Sequence, residues 1–236
     1  MLRRNVRAGA PLLVLLLLIH TSVSVAQNDL PEEILKWEPD ISVFDSLNLV
    51  EPSDAGTLLV TGSSSVRLWD SIHQDLVPYR VMQRGYGGAK LTDFNYYADR
   101  IIKPGPFKAI VVFIANDIAG EEGDRTPKQV LHLFKELVRQ VRERNPGTPV
   151  CWIEVTPTPR RWQVYDQIRE ANERIRKYCS RQDDLYFIST SDHYLTPAGI
   201  PDSTLFRGDM LHLNRDGYEL WAELIRDALE EAGIQP

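Results

Sequence analysis

Apolar and polar positions along the chain alternate between short continuous runs and stripes at helical spacing. Five runs read as strands: Thr57–Thr61, Arg80–Gln83, Ala109–Ile114, Pro149–Val155 and Leu185–Ile188. Ala109 to Ile114 is apolar throughout, the pattern of a strand buried on both faces. Between the runs the apolar period lengthens to three or four residues. Val66, Trp69 and Ile72 make one face of a short helix, and Phe94, Tyr97, Ala98 and Ile101 stripe a helix over about 91–102. Val130, Phe134, Leu137 and Val141 mark a helix running to about Arg144. Its start is signalled by a capping box, Thr126 to Gln129, with Pro127 at the first helical position. Ile168, Ala171 and Ile175 predict a helix over Trp162–Tyr178, and Tyr218, Trp221, Ile225 and Leu229 a last one from Asn214. Strands alternating with helices predict an α/β fold, a three-layer α/β/α sandwich around a central five-stranded parallel sheet. There is no internal repeat and no low-complexity tract.

The N-terminus breaks this rhythm. Arg3, Arg4 and Arg7 precede an almost wholly apolar run from Ala8 to Ile19, and Ser24-Val25-Ala26 follows with small residues. A basic, apolar, small-residue order predicts a signal peptide over 1–26 and a secreted or periplasmic protein. The apolar run is short beside the roughly 20 residues of a membrane span, so no span is expected after cleavage; an uncleaved anchor is the alternative. No cysteine sits near the cleavage site to carry a lipid. Residues 27–56 are polar and punctuated by proline, with Trp37, Ile41, Phe44 and Leu47 as apolar anchors. They predict an extension packed on a single domain, 57–236.

The 236 residues carry a net charge of −6, and cleavage would remove three arginines and no acid. No lysine or arginine cluster suggests a nucleic-acid surface. Cys151 and Cys179 are the only cysteines, too few for a disulfide framework in a domain of this size. In an oxidising compartment the two could pair; two buried thiols are the favoured reading.

The first strand passes through Gly62-Ser63-Ser64-Ser65 into a helix. That places small hydroxyls at the carboxyl end of a sheet, where open α/β sheets bind ligands. A serine there is a nucleophile or simply a helix cap. Gly88 follows the second strand, Asn116 the third, and Asp209 and His212 lie before the last helix. An Asp three residues before a His can accept a hydrogen bond from its ring, leaving the other ring nitrogen as a base toward a hydroxyl. The bland alternative is an Asp that caps the last helix and a His that packs; a metal site lacks nearby third and fourth ligands. His73, His132 and His193 carry no comparable partner, although His193 lies in the long loop and could touch substrate. Arg160, Arg161 and Trp162 follow the fourth strand and read either as contacts to an acyl or sugar group or as a loop pair and a packing ring.

Taken together, these blocks resemble the SGNH hydrolases, the GDSL-type esterase/lipase family. Gly62-Ser63-Ser64-Ser65 matches its first block, Arg84-Gly85-Tyr86-Gly87-Gly88 its second, Asn116-Asp117 its third, and Asp209 with His212 its last. The likeness runs from about Trp37 to the C-terminus and is nearest to a branch whose first block reads Gly-Ser-Ser-Ser. Two departures stand out: Ser63 replaces the usual aspartate, and Ile114 stands where the third block usually has glycine. The resemblance implies a flavodoxin-like sheet and a serine esterase. Ser64 would be the nucleophile, His212 the base and Asp209 its partner. Ser64, Gly88 and Asn116 would form the oxyanion hole, with no metal or organic cofactor. Substrates would be small acyl esters, short-chain, including O-acetylated carbohydrate. A catalytically weak carbohydrate-binding protein, or an acyltransferase to a sugar, are the alternatives on the same residues.

Overall fold

In the computed structural model, which describes residues 31–236, the five apolar runs form one parallel sheet in the order β2-β1-β3-β4-β5. The strands are β1 Thr57–Gly62, β2 Arg80–Gly85, β3 Ala109–Phe113, β4 Val150–Ile153 and β5 Leu185–Ile188. The signal peptide predicted over 1–26 lies outside the described residues. Because side chains alternate along a strand, each strand feeds two cores. Leu59, Ile110, Val112, Val150 and Trp152 enter one cluster, while Leu58, Val60, Val111, Cys151 and Ile153 enter the other. The first is covered by α5 Leu91–Ile101, α6 Pro127–Arg144 and α7 Tyr165–Cys179. The second is covered by α8 Arg215–Glu231 and by two single turns, α3 Ser64–Arg67 and α4 Ile72–Asp75. Both faces are therefore dry, which is why the strand sequences are apolar throughout. Cys151 and Cys179 are free, buried and assigned to opposite clusters. Burial pushes each thiol up to about 12.

Two helical segments differ from the pattern of their apolar residues. Val66, Trp69 and Ile72 are all buried, but the helix that would hold them breaks between α3 and α4. The Gln83 amide of β2 donates to the carbonyls of Val66 and Trp69 at 2.7 and 3.2 Å, supplying partners that a continuing helix would have provided. The second segment begins as a 3-10 helix, Pro159–Val164, and becomes α-helical only at Tyr165. Arg161, at φ −111° and ψ 16°, departs from helical geometry at this point. The Thr126 capping box forms as expected, with the Gln129 N–H on the Thr126 hydroxyl at 3.3 Å.

Ahead of the sheet, α1 Glu32–Leu35 and α2 Glu38–Val50 lie against α5. Ile34, Ile41 and Phe44 are buried in the first cluster, and Trp37 and Leu47 pack on it. Arg100 of α5 pairs with Glu38 and Asp45 of α2, both at 2.6 Å. Lys103 donates to the carbonyls of Asn48 and Glu51. Arg84, almost fully buried on β2, pairs with Glu51 at 2.6 Å. Among the described residues no helix is long and apolar enough to cross a membrane.

Candidate active site

The β1–α3 turn is sharp because Gly62 permits it. Its φ of +139° is one that residues with a Cβ rarely adopt, and a Cβ here would run into the carbonyl of Phe113. Ser63 then anchors the turn, its N–H donating to Phe113 O at 2.9 Å. Ser63 occupies the N-cap position of α3 but makes no side-chain cap bond. Ser64, the first helical residue, has its hydroxyl 2.9 Å from His212 Nε2. On the other side of that ring, Nδ1 lies 2.6 Å from Asp209 Oδ2. One tautomer satisfies both contacts: Nδ1–H donates to Asp209, and Nε2 accepts from the Ser64 hydroxyl.

Asp209 is fixed as firmly as the ring it holds. Its Oδ1 accepts the backbone N–H groups of Leu211 and His212, each at 3.0 Å. Partial burial works to raise its pKa, but the bonds from His212 and Leu211 outweigh it and hold the carboxyl at about 2. The turn that makes this possible puts Met210 in the left-handed region at φ 57°, a conformation that costs a side-chain-bearing residue free energy. The loop is closed by a bridge between Phe206 and Leu213 and by Arg207 N–H on His212 O at 2.7 Å. The Arg207 side chain donates to Leu213 O at 2.9 Å and to Leu68 O at 3.1 Å, tying the histidine loop to the end of α3. Tyr218 of α8 adds a second tie, its hydroxyl donating to Ser65 O at 2.8 Å.

Gly88 and Asn116 approach from the neighbouring strands. Gly62 is paired in register with Gly85 of β2 and with Phe113 of β3, so Ser64, Gly88 and Asn116 all leave the sheet at its carboxyl edge. This is the topological switch point, where β1 is flanked by β2 and β3. The Asn116 amide is held on both sides: Nδ2 donates to Ala89 O at 2.9 Å, and Oδ1 accepts from Arg161 Nη2 at 2.6 Å. Next to it, Asp117 accepts the Leu91 N–H at 3.0 Å; burial lifts its carboxyl to about 6 against that bond. The second-block loop is backed by Trp37, which meets Tyr86 edge-on at 5.3 Å. Gly87 is required there, since a Cβ would collide with the Trp37 ring.

The remaining residues singled out in the sequence separate clearly. His73, His132 and His193 are exposed and make no bond to Ser64, Asp209 or His212. Arg160 is exposed and Trp162 is partly exposed, stacked on Tyr165 at 5.0 Å. Arg161 is buried against Ala115 and Asn116 and is not a free loop residue. Its place after the fourth strand marked it as a candidate contact, but its bond to Asn116 was not foreseen, and Arg207 was not singled out at all.

Two hollows adjoin this edge. A cleft of about 390 Å³ is lined by Gly88, Lys90, Thr92, Lys36, Asp93 and Arg125 among others. A crevice between Ile114, Ile118, Val130, Val155 and Ile168 is apolar but holds only about 20 Å³, room for one water-sized group.

A doubly wound parallel sheet with serine, histidine and aspartate side chains in contact at its switch point defines the class, an α/β protein whose site geometry is compatible with acyl-transfer chemistry. The model of the GDSL-like lipase/acylhydrolase family matches residues 55–220, and the chain belongs to that family. Comparison with curated proteins finds no match. Among solved structures, one from Streptococcus pneumonia, named provisionally as a platelet activating factor, has a TM-score of 0.72 at 21% identity over 84% of this chain and 95% of its own. A GDSL-like lipase from Bacteroides thetaiotaomicron has a TM-score of 0.66 at 17% identity, covering 81% and 98%. A carbohydrate esterase family 3 structure from Talaromyces cellulolyticus has a TM-score of 0.57 at 16% identity, covering 75% and 97%. These likenesses establish the shared fold.

Proposed function

We propose that the chain is a secreted serine esterase acting on short-chain acyl esters, with O-acetylated carbohydrate as the favoured substrate class. The observation that carries this is the Ser64 hydroxyl at 2.9 Å from an imidazole whose other nitrogen is bound by Asp209. His212 takes the hydroxyl proton as Ser64 Oγ attacks the ester carbonyl. Asp209 keeps the ring oriented and stabilises the imidazolium that forms. The oxyanion is held by the N–H groups of Ser64 and Gly88 and by the Asn116 amide, each such donor contributing about 3 kcal/mol in the transition state. Collapse releases the alcohol, which takes its proton from His212, and water repeats the sequence to release the acid. This chemistry draws on no metal or organic cofactor.

One feature supports a polar alcohol. The cleft beside Gly88 is lined by lysine, arginine, threonine and carboxylate side chains, which suit hydroxyl-rich substrates. Secretion rests on the leader over 1–26, and sequencing the exported protein for a start at Gln27 tests it. The esterase reading is tested with p-nitrophenyl acetate and acetylated sugars. Ser64→Ala is expected to lower kcat by at least about 10⁴-fold. A Ser64→Ala protein that hydrolyses these esters at the wild-type rate overturns it.

A further inference from the structure

Asn116 is gripped from a strand away. Arg161 Nη2 donates to Asn116 Oδ1 at 2.6 Å, while Nη1 of the same guanidinium donates to Ala115 O at 2.7 Å. The planar fork thus reads a side-chain oxygen and a backbone carbonyl of consecutive residues, a geometry that an ammonium cannot reproduce. Arg161 is 9% exposed, and both of these contacts are to neutral oxygens. Burial works against this cation, and the charges of Glu121, Asp124 and Asp117 offset it in part, but its hydrogen bonds go to the neutral oxygens of Ala115 and Asn116.

The orientation of an asparagine amide is the quantity at stake. A 180° turn exchanges oxygen for nitrogen with little change in shape, and would present an acceptor where the oxyanion needs a donor. In the turned state Nδ2 would face the guanidinium, donor against donor, and Oδ1 would face the carbonyl of Ala89. Both neighbours therefore enforce one orientation. One Nδ2–H is committed to Ala89 O, which leaves one for a ligand. A guanidinium on Oδ1 also polarises the amide and strengthens that remaining N–H as a donor.

We propose that Arg161 is a positioning residue of the oxyanion site, holding and polarising the Asn116 amide so that its free N–H meets the negative charge that develops on the ester oxygen. This rests on the esterase reading above and assigns a function to a residue outside the Ser–His–Asp relay. The test is a double-mutant cycle on the full chain with p-nitrophenyl acetate. Arg161→Met is expected to lower kcat about 100-fold with KM within about threefold. In an Asn116→Ala background, the same change is expected to cost less than about threefold, because the group it acts through is gone. Arg161→Lys, which keeps the charge and safeguards folding, is expected to lose about tenfold in kcat and to show the same collapse of its effect beside Asn116→Ala. Equal losses in both backgrounds, or an unchanged kcat in Arg161→Met, overturn the proposal. Ser64→Ala separates the two readings: if it abolishes turnover while the Arg161 effects are additive, only the positioning role fails; if it does not, the esterase assignment fails first.

Discussion

Replacing Asp75 by alanine is expected to lower the unfolding free energy by about 3 kcal/mol at neutral pH. The carboxylate lies at the end of α4 and joins it to the first turn of α8. Oδ2 accepts from Trp69 Nε1 at 2.7 Å, Ser71 Oγ at 2.6 Å and Arg215 Nη1 at 2.6 Å, and Oδ1 accepts from Arg215 Nη2 at 2.7 Å. Burial alone would raise this carboxyl, but the bonds from Arg215, Ser71 and Trp69 prevail and hold it at about 2, against an ordinary 3.8. At about 1.4 kcal/mol per pKa unit, that depression corresponds to about 2 kcal/mol of stability at pH 7. Alanine also leaves Trp69 Nε1 without this acceptor inside the core, a loss of about 1–3 kcal/mol that partly overlaps the first. Arg215 is half-exposed and rehydrates, so its freed charge adds little. Urea unfolding of the wild type, Asp75→Ala and Asp75→Asn from pH 7 down to pH 2 gives the measurement. A carboxyl depressed by folding stabilises fully above its unfolded value and ceases to do so as pH falls through its folded one. The gap between wild type and Asp75→Asn should therefore narrow between pH 3.8 and about 2. A gap below about 1 kcal/mol for Asp75→Ala at pH 7, or a wild-type advantage over Asp75→Asn that ignores pH, refutes the reasoning.

Two further outcomes follow from the site. Asp209→Asn keeps the shape of the turn but removes the acceptor that selects the His212 tautomer; kcat should fall about 10³–10⁴-fold with little change in KM, and retention of more than a tenth of wild-type kcat would rule out that role. Trp37→Ala empties the ring that backs Tyr86 and Gly87, so kcat should fall about tenfold and stability by about 3 kcal/mol; an unchanged kcat in a destabilised protein would show that the ring serves packing alone.

The sheet was legible because five runs, several of them apolar on both faces, are hard to accommodate in any other way, and the structure places all five in one parallel sheet. A serine after the first strand and the Asp209–His212 pair were legible as residue types at strand and loop ends, the family resemblance singled out Ser64, and the structure brings the three into contact. Other features depend on side chains that reach across long sequence separations. The break between α3 and α4 depends on Gln83, on another strand. Arg161 read either as a substrate contact or as a loop arginine, and Arg207 drew no reading, because their acceptors, Asn116 and Leu68, are distant in sequence. Trp37 was readable as an apolar anchor, but nothing in its local pattern says that it backs the loop before Gly88.

The contact between the hydroxyl and the imidazole joins residues 148 positions apart, and every strand crossover lies between them. Such a contact is non-local by construction. Hydrolysis is therefore a readout of the finished topology: a chain with its helices formed but one crossover undocked would be silent. Turnover regained during refolding would time the arrival of the last element, making the enzyme its own reporter of completed assembly.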